Sequence, residues 1–356
     1  MRWDSLRLEP ASGQDGTSGQ PPALFGRDAV ARTFDTPGFR GKTFYEIRAR
    51  SIINRVPATS RMAFSWTINP YRGCSHACTY CFARNTHTYL DLDSGHDFDS
   101  RIVVKVNAPE LARRELAAPA WRGEHVAMGT NVDCYQRAEG RYQLMPGIIG
   151  ALRDARNPFS ILTKGTLILR DLDLLADAAQ VTDVGLNVSV GFVDKPLSRS
   201  VEPGTPSPER RLAVCAALTA RGLRCGVLMG PVLPFLTDSP GQLERTVALA
   251  AEAGAAHVTP IVLHLRPGAR EWFGRWLDTE HPDLTGRYRQ LYGRGAYAPR
   301  WYSERISGQV RELAARHGVG KASPAAARRI PPPGQGRSAT APAAPDRPEA
   351  VQLSLL

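Results

Sequence analysis

The run Ala63-Phe64-Ser65-Trp66-Thr67-Ile68-Asn69, followed by Pro70-Tyr71-Arg72-Gly73-Cys74-Ser75-His76-Ala77-Cys78-Thr79-Tyr80-Cys81-Phe82-Ala83-Arg84, decides how the chain is read. Its first seven residues have the aromatic and β-branched character of a strand, and a helix is predicted to begin close to Cys78. Three cysteines therefore fall in a loop between a strand and a helix. Downstream the same alternation repeats. Strands are predicted at residues 101–106, 125–129, 159–163, 184–190, 223–229 and 257–265. Helices are predicted at 109–116, 142–155, 171–179, 207–221 and 240–253, several opening on Pro, Ser or acidic residues as helix starts do. Repeated βα units imply a parallel sheet, and six or more imply an α/β partial or full TIM-like barrel. In such barrels the chemistry sits at the C-terminal ends of the strands, where the cysteine loop falls.

The spacing C-x3-C-x2-C carries its own chemistry. Thiolates at Cys74, Cys78 and Cys81 can ligate three irons of a [4Fe–4S] cubane and leave the fourth without a protein ligand. That vacancy can chelate the amino and carboxylate groups of S-adenosylmethionine (SAM), and an electron from the cluster can then cleave the sulfonium to a 5′-deoxyadenosyl radical. Two alternatives stay open on the residues alone. One is structural zinc with Cys134 or His76 as fourth ligand; the other is a purely electron-transferring cluster.

Composition bounds the rest. The chain has 356 residues, 42% of them apolar, enough for one large domain. Six cysteines, three within eight positions, are too sparse for a disulfide framework and point to a reducing compartment. With no apolar run of spanning length and no apolar leader, no membrane association is expected and the predicted location is cytoplasmic. The formal charge of +11 suits a polyanionic partner. Residues 1–25 read as a flexible segment, 26–319 as the domain, and 320–356 as a disordered Ala/Pro/Arg/Gly tether.

The string Asn69-Pro70-Tyr71-x-Gly73-Cys74-x-His76-x-Cys78-x-Tyr80-Cys81-x-Ala83-Arg84 resembles the radical SAM superfamily, and within it the subgroup related to spore photoproduct lyase. The resemblance implies a partial or full (βα) barrel and SAM cleavage at a [4Fe–4S] cluster. It further implies that Lys164 lies near the SAM carboxylate, that Ser189 contacts SAM, and that Glu202 reaches the ribose. Asn131 and Asp133 are implied as substrate or SAM contacts. Gly226 and Gly230, in Gly226-Val227-Leu228-Met229-Gly230-Pro231, would let the backbone approach the adenine. Cys134 and Tyr80 are implied as a hydrogen-atom relay. Phe82, where the relay would want a second tyrosine, has no transferable hydrogen and argues against copying the lyase reaction.

The last residues, Gln352-Leu353-Ser354-Leu355-Leu356, resemble the peptide by which bacterial repair proteins bind the sliding clamp. The expectation is thus a radical SAM enzyme acting on DNA by lyase-like repair chemistry, fed by an unidentified electron donor. The alternatives are modification of RNA, protein or a small molecule, or a non-catalytic cluster-containing binding protein. Residues 272–302, rich in Trp, Tyr and Arg, are expected to close the barrel or stack bases.

Overall fold

The structure is a computed structural model describing residues 29–57, 60, 62–320 and 322–330. The expected flexible start and the C-terminal pentapeptide lie outside the described residues. Among the described residues there are eleven strands: β1 (Val30–Thr33), β2 (Thr43–Ile47), β3 (Ile53–Arg55), β4 (Trp66–Ile68), β5 (Tyr71–Arg72), β6 (Arg101–Lys105), β7 (Val126–Met128), β8 (Phe159–Thr163), β9 (Val184–Ser189), β10 (Cys225–Val232) and β11 (Val258–Val262). The main sheet has the order β11-β10-β9-β8-β7-β4-β3. Strands β4 and β7 to β11 pair in parallel, while β3 runs antiparallel on the edge. This is a partial barrel of six parallel strands, and among the described residues no pairing closes it.

One expected barrel strand is elsewhere. Residues 101–106 were predicted as the second barrel strand, but β6 pairs with β2 and β5 in a separate four-stranded sheet, β1-β2-β6-β5. A β-branched run identifies a strand, not the sheet it joins. The helix predicted near Cys78 is instead a 3-10 helix over Phe82–Leu90.

The two faces of the parallel sheet differ in chemistry, and the alternation of side chains along each strand sets the division. One face carries Ile68, Val126, Met128, Phe159, Ile161, Leu186, Val188, Cys225 and Val227, at most 2% exposed, in the main apolar core. The other face, aligned by strand register, carries Thr67, Ala127, Ser160 and Gly185, then Leu162, Asn187 and Gly226, then Ser189, Leu228 and Thr259. Barrels of this kind normally fill their interior with bulky branched side chains. Here that face is mostly small and polar, with Leu162 and Leu228 as the large apolar side chains among those named.

Residues 320 and 322–330 of the chain pack against this face. Val258 N–H donates to the Gly320 carbonyl at 3.2 Å, the Thr259 hydroxyl to Ala322 O at 3.1 Å, and Asn187 Nδ2 to Ala327 O at 2.9 Å. Arg328 turns its guanidinium onto the Ser160 hydroxyl at 3.0 Å and lies over the Phe64 ring. A Cβ on Gly185 would stand 2.6 Å from the Arg328 carbonyl oxygen, so only glycine admits this crossing. The segment floors the barrel at the N-terminal ends of its strands. Packing thus continues to residue 330, about ten residues beyond the boundary expected at 319. A segment poor in large apolar side chains orders here because barrel groups satisfy its backbone. No helix among the described residues is long and apolar enough to cross a membrane.

Candidate active site at the mouth of the barrel

The cysteine loop follows β4 at the C-terminal end of the sheet and is held from several sides. Gln136 accepts from the Ser75 amide at 2.9 Å and donates to Gly73 O at 3.0 Å. Thr79 N–H donates to Val201 O, and Gly204 N–H to His76 O, each at 3.0 Å. Arg84, fully buried, donates to Cys78 O from Nε and Nη2 at 3.1 and 2.9 Å and is paired with Asp99 at 2.9 Å. A buried guanidinium paired and hydrogen-bonded in this way fixes the backbone it touches. Burial pushes Asp99 up to about 6 against the pull of Arg84.

Cys74 and Cys78 are buried and Cys81 is half-buried; none forms a disulfide. Burial raises all three thiols, Cys78 to about 12, while Lys164 pulls Cys78 and Cys81 the other way. Thiols in such a setting favour the thiolate only beside a strong positive charge, which an iron–sulfur core supplies. The loop hydroxyls Ser75 Oγ and Thr79 Oγ1 are buried without a hydrogen-bond partner. Orphaned buried donors are costly and rare, so their presence in this loop fits a group bound through the thiols. No three Cys, His, Asp or Glu side chains among the described residues gather as ligands of a single ion.

Beside the loop, the ends of β8 and β9 bring charged groups together. The Lys164 ammonium donates to the Ser189 hydroxyl at 2.8 Å and lies 3.9 Å from Glu202 Oε1. Ser189 in turn donates to Gly230 O at 2.9 Å. Glu202 also accepts from the Tyr80 hydroxyl and from Arg211 Nη2. Burial pushes the Glu202 carboxyl up, but Arg211 and Lys164 outweigh it and hold it below the ordinary carboxylate value. Lys195, Ser198, Arg199, Thr205 and Ser207 line a cavity of about 450 Å³ together with Glu202, a volume within the range of small-molecule sites.

Of the residues singled out in the sequence, Lys164, Ser189, Glu202, Tyr80 and Gly230 thus form one network at the mouth. Asp133 is close to them but already engaged. It accepts from Thr163 Oγ1 and the Lys164 amide at 2.6 Å and from the Tyr135 amide at 2.9 Å, with His76 Nδ1 at 3.4 Å. Burial pushes its carboxyl up, and His76 with these donors brings it down to about 2. Its geometry is that of a brace between the cysteine loop and β8. Asn131 is exposed on the same loop. Gly226 is apart from the network: four residues before Gly230, it lies ~13 Å down the strand. A side chain there would run into His257 and Asn187. Its smallness serves packing between strands. Cys134 is 1% exposed, and burial raises its thiol well above the ordinary value. It stands between Asp133 and the loop-holding Gln136.

Sequence reasoning missed Arg211, Gln136 and Arg328. Arg211 belongs to the helix Pro208–Ala220, whose start signal Ser207-Pro208-Glu209 was legible, but an arginine one turn into a helix looks like a surface residue. In the structure it is 1% exposed, with bonds to Glu202, Thr205 Oγ1, Pro206 O and Ser189 O.

Residues 68–250 match the radical SAM superfamily. An uncharacterized protein of Mycobacterium tuberculosis is 50% identical over 317 residues, covering 89% of this chain and 93% of its own length. One from Methanocaldococcus jannaschii is 30% identical over 195 residues, 54% of this chain and 69% of that one. Among solved structures, a spore photoproduct lyase variant with bound AdoMet and dinucleoside spore photoproduct superposes with a TM-score of 0.58. It is 15% identical and covers 76% of this chain and 78% of that one. At that identity the likeness is one of fold. The fold, the cysteine loop and the match over half of the chain agree: the chain belongs to the radical SAM superfamily, whose enzymes work with a [4Fe–4S] cluster and S-adenosylmethionine.

Proposed function

We propose that Cys74, Cys78 and Cys81 hold the cluster, that the Lys164–Ser189–Glu202 network seats SAM beside it, and that the enzyme acts on DNA. The observation that carries the first two parts is the network's position: a half-free ammonium, a hydroxyl and a buried carboxylate adjoin the cysteine loop. When bound and reduced, such a cluster with SAM supplies a 5′-deoxyadenosyl radical. The chain's residues do the rest. Lys164, oriented by Ser189, offers its charge to a carboxylate. Glu202, fixed by Arg211, offers an acceptor to ribose hydroxyls. The mouth's burial keeps water from a reactive radical.

DNA as substrate is supported by the charge of +11 and by the dinucleoside bound in the lyase-variant structure of the same fold. The Tyr80 phenol and the Cys134 thiol are the groups we assign to hydrogen return. A clamp-binding role for Gln352 to Leu356 rests on sequence alone. Removing those five residues should abolish co-elution with sliding clamp, and retained co-elution would refute it.

The test is anaerobic reconstitution, reduction and assay for 5′-deoxyadenosine with and without DNA. Formation of 5′-deoxyadenosine that rises on adding DNA is expected. A fully loaded protein that never cleaves SAM would sink the enzyme assignment, and cleavage indifferent to DNA would remove the DNA substrate.

A further inference from the structure

The aromatic-rich region after β11 divides into two populations. Phe273, Tyr288, Tyr292 and Tyr302 are at most 4% exposed. Tyr288 and Tyr292 donate to Pro234 O and Leu263 O at 2.7 and 2.6 Å, and Tyr302 to Asp238. These close the barrel's side, as aromatic residues with satisfied hydroxyls do.

Tyr297 is different: it is 50% exposed and stacked on His264, centroids 5.6 Å apart at 27°. His264 continues the row to Phe82 at 5.5 Å, the residue directly after Cys81. Arg266 spans the row, its guanidinium 5.6 Å from the Phe82 centroid and Nη2 donating to the Tyr297 hydroxyl at 2.9 Å. Backbone pairing sets the stack. Residues 264 and 297 form an antiparallel bridge, and Leu265 N–H donates to Ala296 O at 2.7 Å. Burial and Arg266 hold the His264 imidazole below its ordinary value, so it is neutral near pH 7 and does not repel the guanidinium.

The row therefore begins at the cysteine loop and ends at a half-exposed ring whose hydroxyl a guanidinium holds. Open aromatic faces next to a guanidinium suit a flat base joined to a phosphate. We infer that Phe82, His264, Tyr297 and Arg266 form a platform, rooted at the cluster loop, that seats one unstacked base of single-stranded or locally opened DNA on Tyr297. The inference deepens the proposed DNA reading and rests on it. It also gives Phe82 a function, that of anchoring the inner end of the row against His264 and Arg266.

The experiment measures binding of a short single-stranded oligothymidylate to the reconstituted holoenzyme by fluorescence anisotropy, across a salt series. Tyr297→Ala should weaken binding roughly five- to hundredfold. Tyr297→Leu, which keeps apolar bulk without a π-face, should fall with it, and Tyr297→Phe should stay close to wild type. Arg266→Ala should lower the salt slope by about one. Tyr89→Ala, 60% exposed and outside the row, is the control for removal of a surface aromatic. Wild-type affinity in both Tyr297→Ala and Tyr297→Leu would overturn the platform while leaving the DNA reading in place. No binding by the wild-type holoenzyme would overturn the DNA reading and the platform together.

Discussion

The two ends of the barrel solve opposite electrostatic problems. At the mouth, charges are numerous and compensated: Lys164, Glu202 and Arg211 make one chain, and Asp133 is surrounded by hydrogen-bond donors. At the floor, one guanidinium enters without a carboxylate. Arg328 has no ion pair among the described residues, and burial lowers it to about 10. Its neighbour His125 is held down to about 4 by burial and by Arg328. A mouth built from compensated charges stays polar without leaving a buried ion unpaired. A floor with one uncompensated cation tolerates no second one. The difference shows that buried charges gather here where they are paired, and that an unpaired one stands apart from other cations.

That contrast can be broken most sharply at the mouth. Cys78→Ala should abolish cluster loading and 5′-deoxyadenosine formation, read by iron content and product assay, with no comparable loss from changes at the floor. Next in size is Glu202→Gln, which leaves Arg211 buried without its carboxylate. It should cost about 3–5 kcal/mol in urea denaturation, and adding Arg211→Met should recover most of that. Close behind, ending the chain at Val319 removes the floor's four hydrogen bonds to Val258, Thr259, Asn187 and Ser160. At ~1 kcal/mol each this is ~4 kcal/mol, measured in the same assay.

The floor should also be acid-sensitive. Because the folded His125 titrates near 4 and the unfolded side chain near 6.5, the unfolded state takes up its proton first. The stabilisation is complete above about pH 6.5 and is lost as pH falls towards 4, by up to about 3 kcal/mol. His125→Asn should flatten that part of the profile; an unchanged slope would show that the floor is not its source. The smallest effect is expected from Arg328→Met, within about 1 kcal/mol, because losing the Ser160 bond is offset by removing an unpaired charge. It should nonetheless raise the His125 titration midpoint in NMR.

How much of this was legible in the sequence follows from the range of the interactions. The cysteine loop was plain because its ligands lie within eight residues, and the strands were plain because their character is local. Lys164 and Ser189 could be placed at strand ends, and the structure joins them. The departure of β6 to a second sheet was not legible, since its pairing with β2 and β5 rather than β4 leaves no local trace. Nor was the floor: Arg328 meets Ser160 across 168 positions, and Ala327 meets Asn187 across 140. The tight packing of Gly226 was not legible for a related reason, as a glycine needed beside His257 looks the same in sequence as one needed beside a ligand.

The floor has a further consequence in time. Chains fold as they are made, from the N-terminus onward, and the segment at 320–330 follows every strand and helix of the barrel. The nascent protein therefore passes through a stage in which its sheet is complete but its interior is open at both ends. Sealing of the lower opening therefore follows formation of the sheet, so a chain cut short before residue 320 would be a vessel open below rather than an unfolded chain.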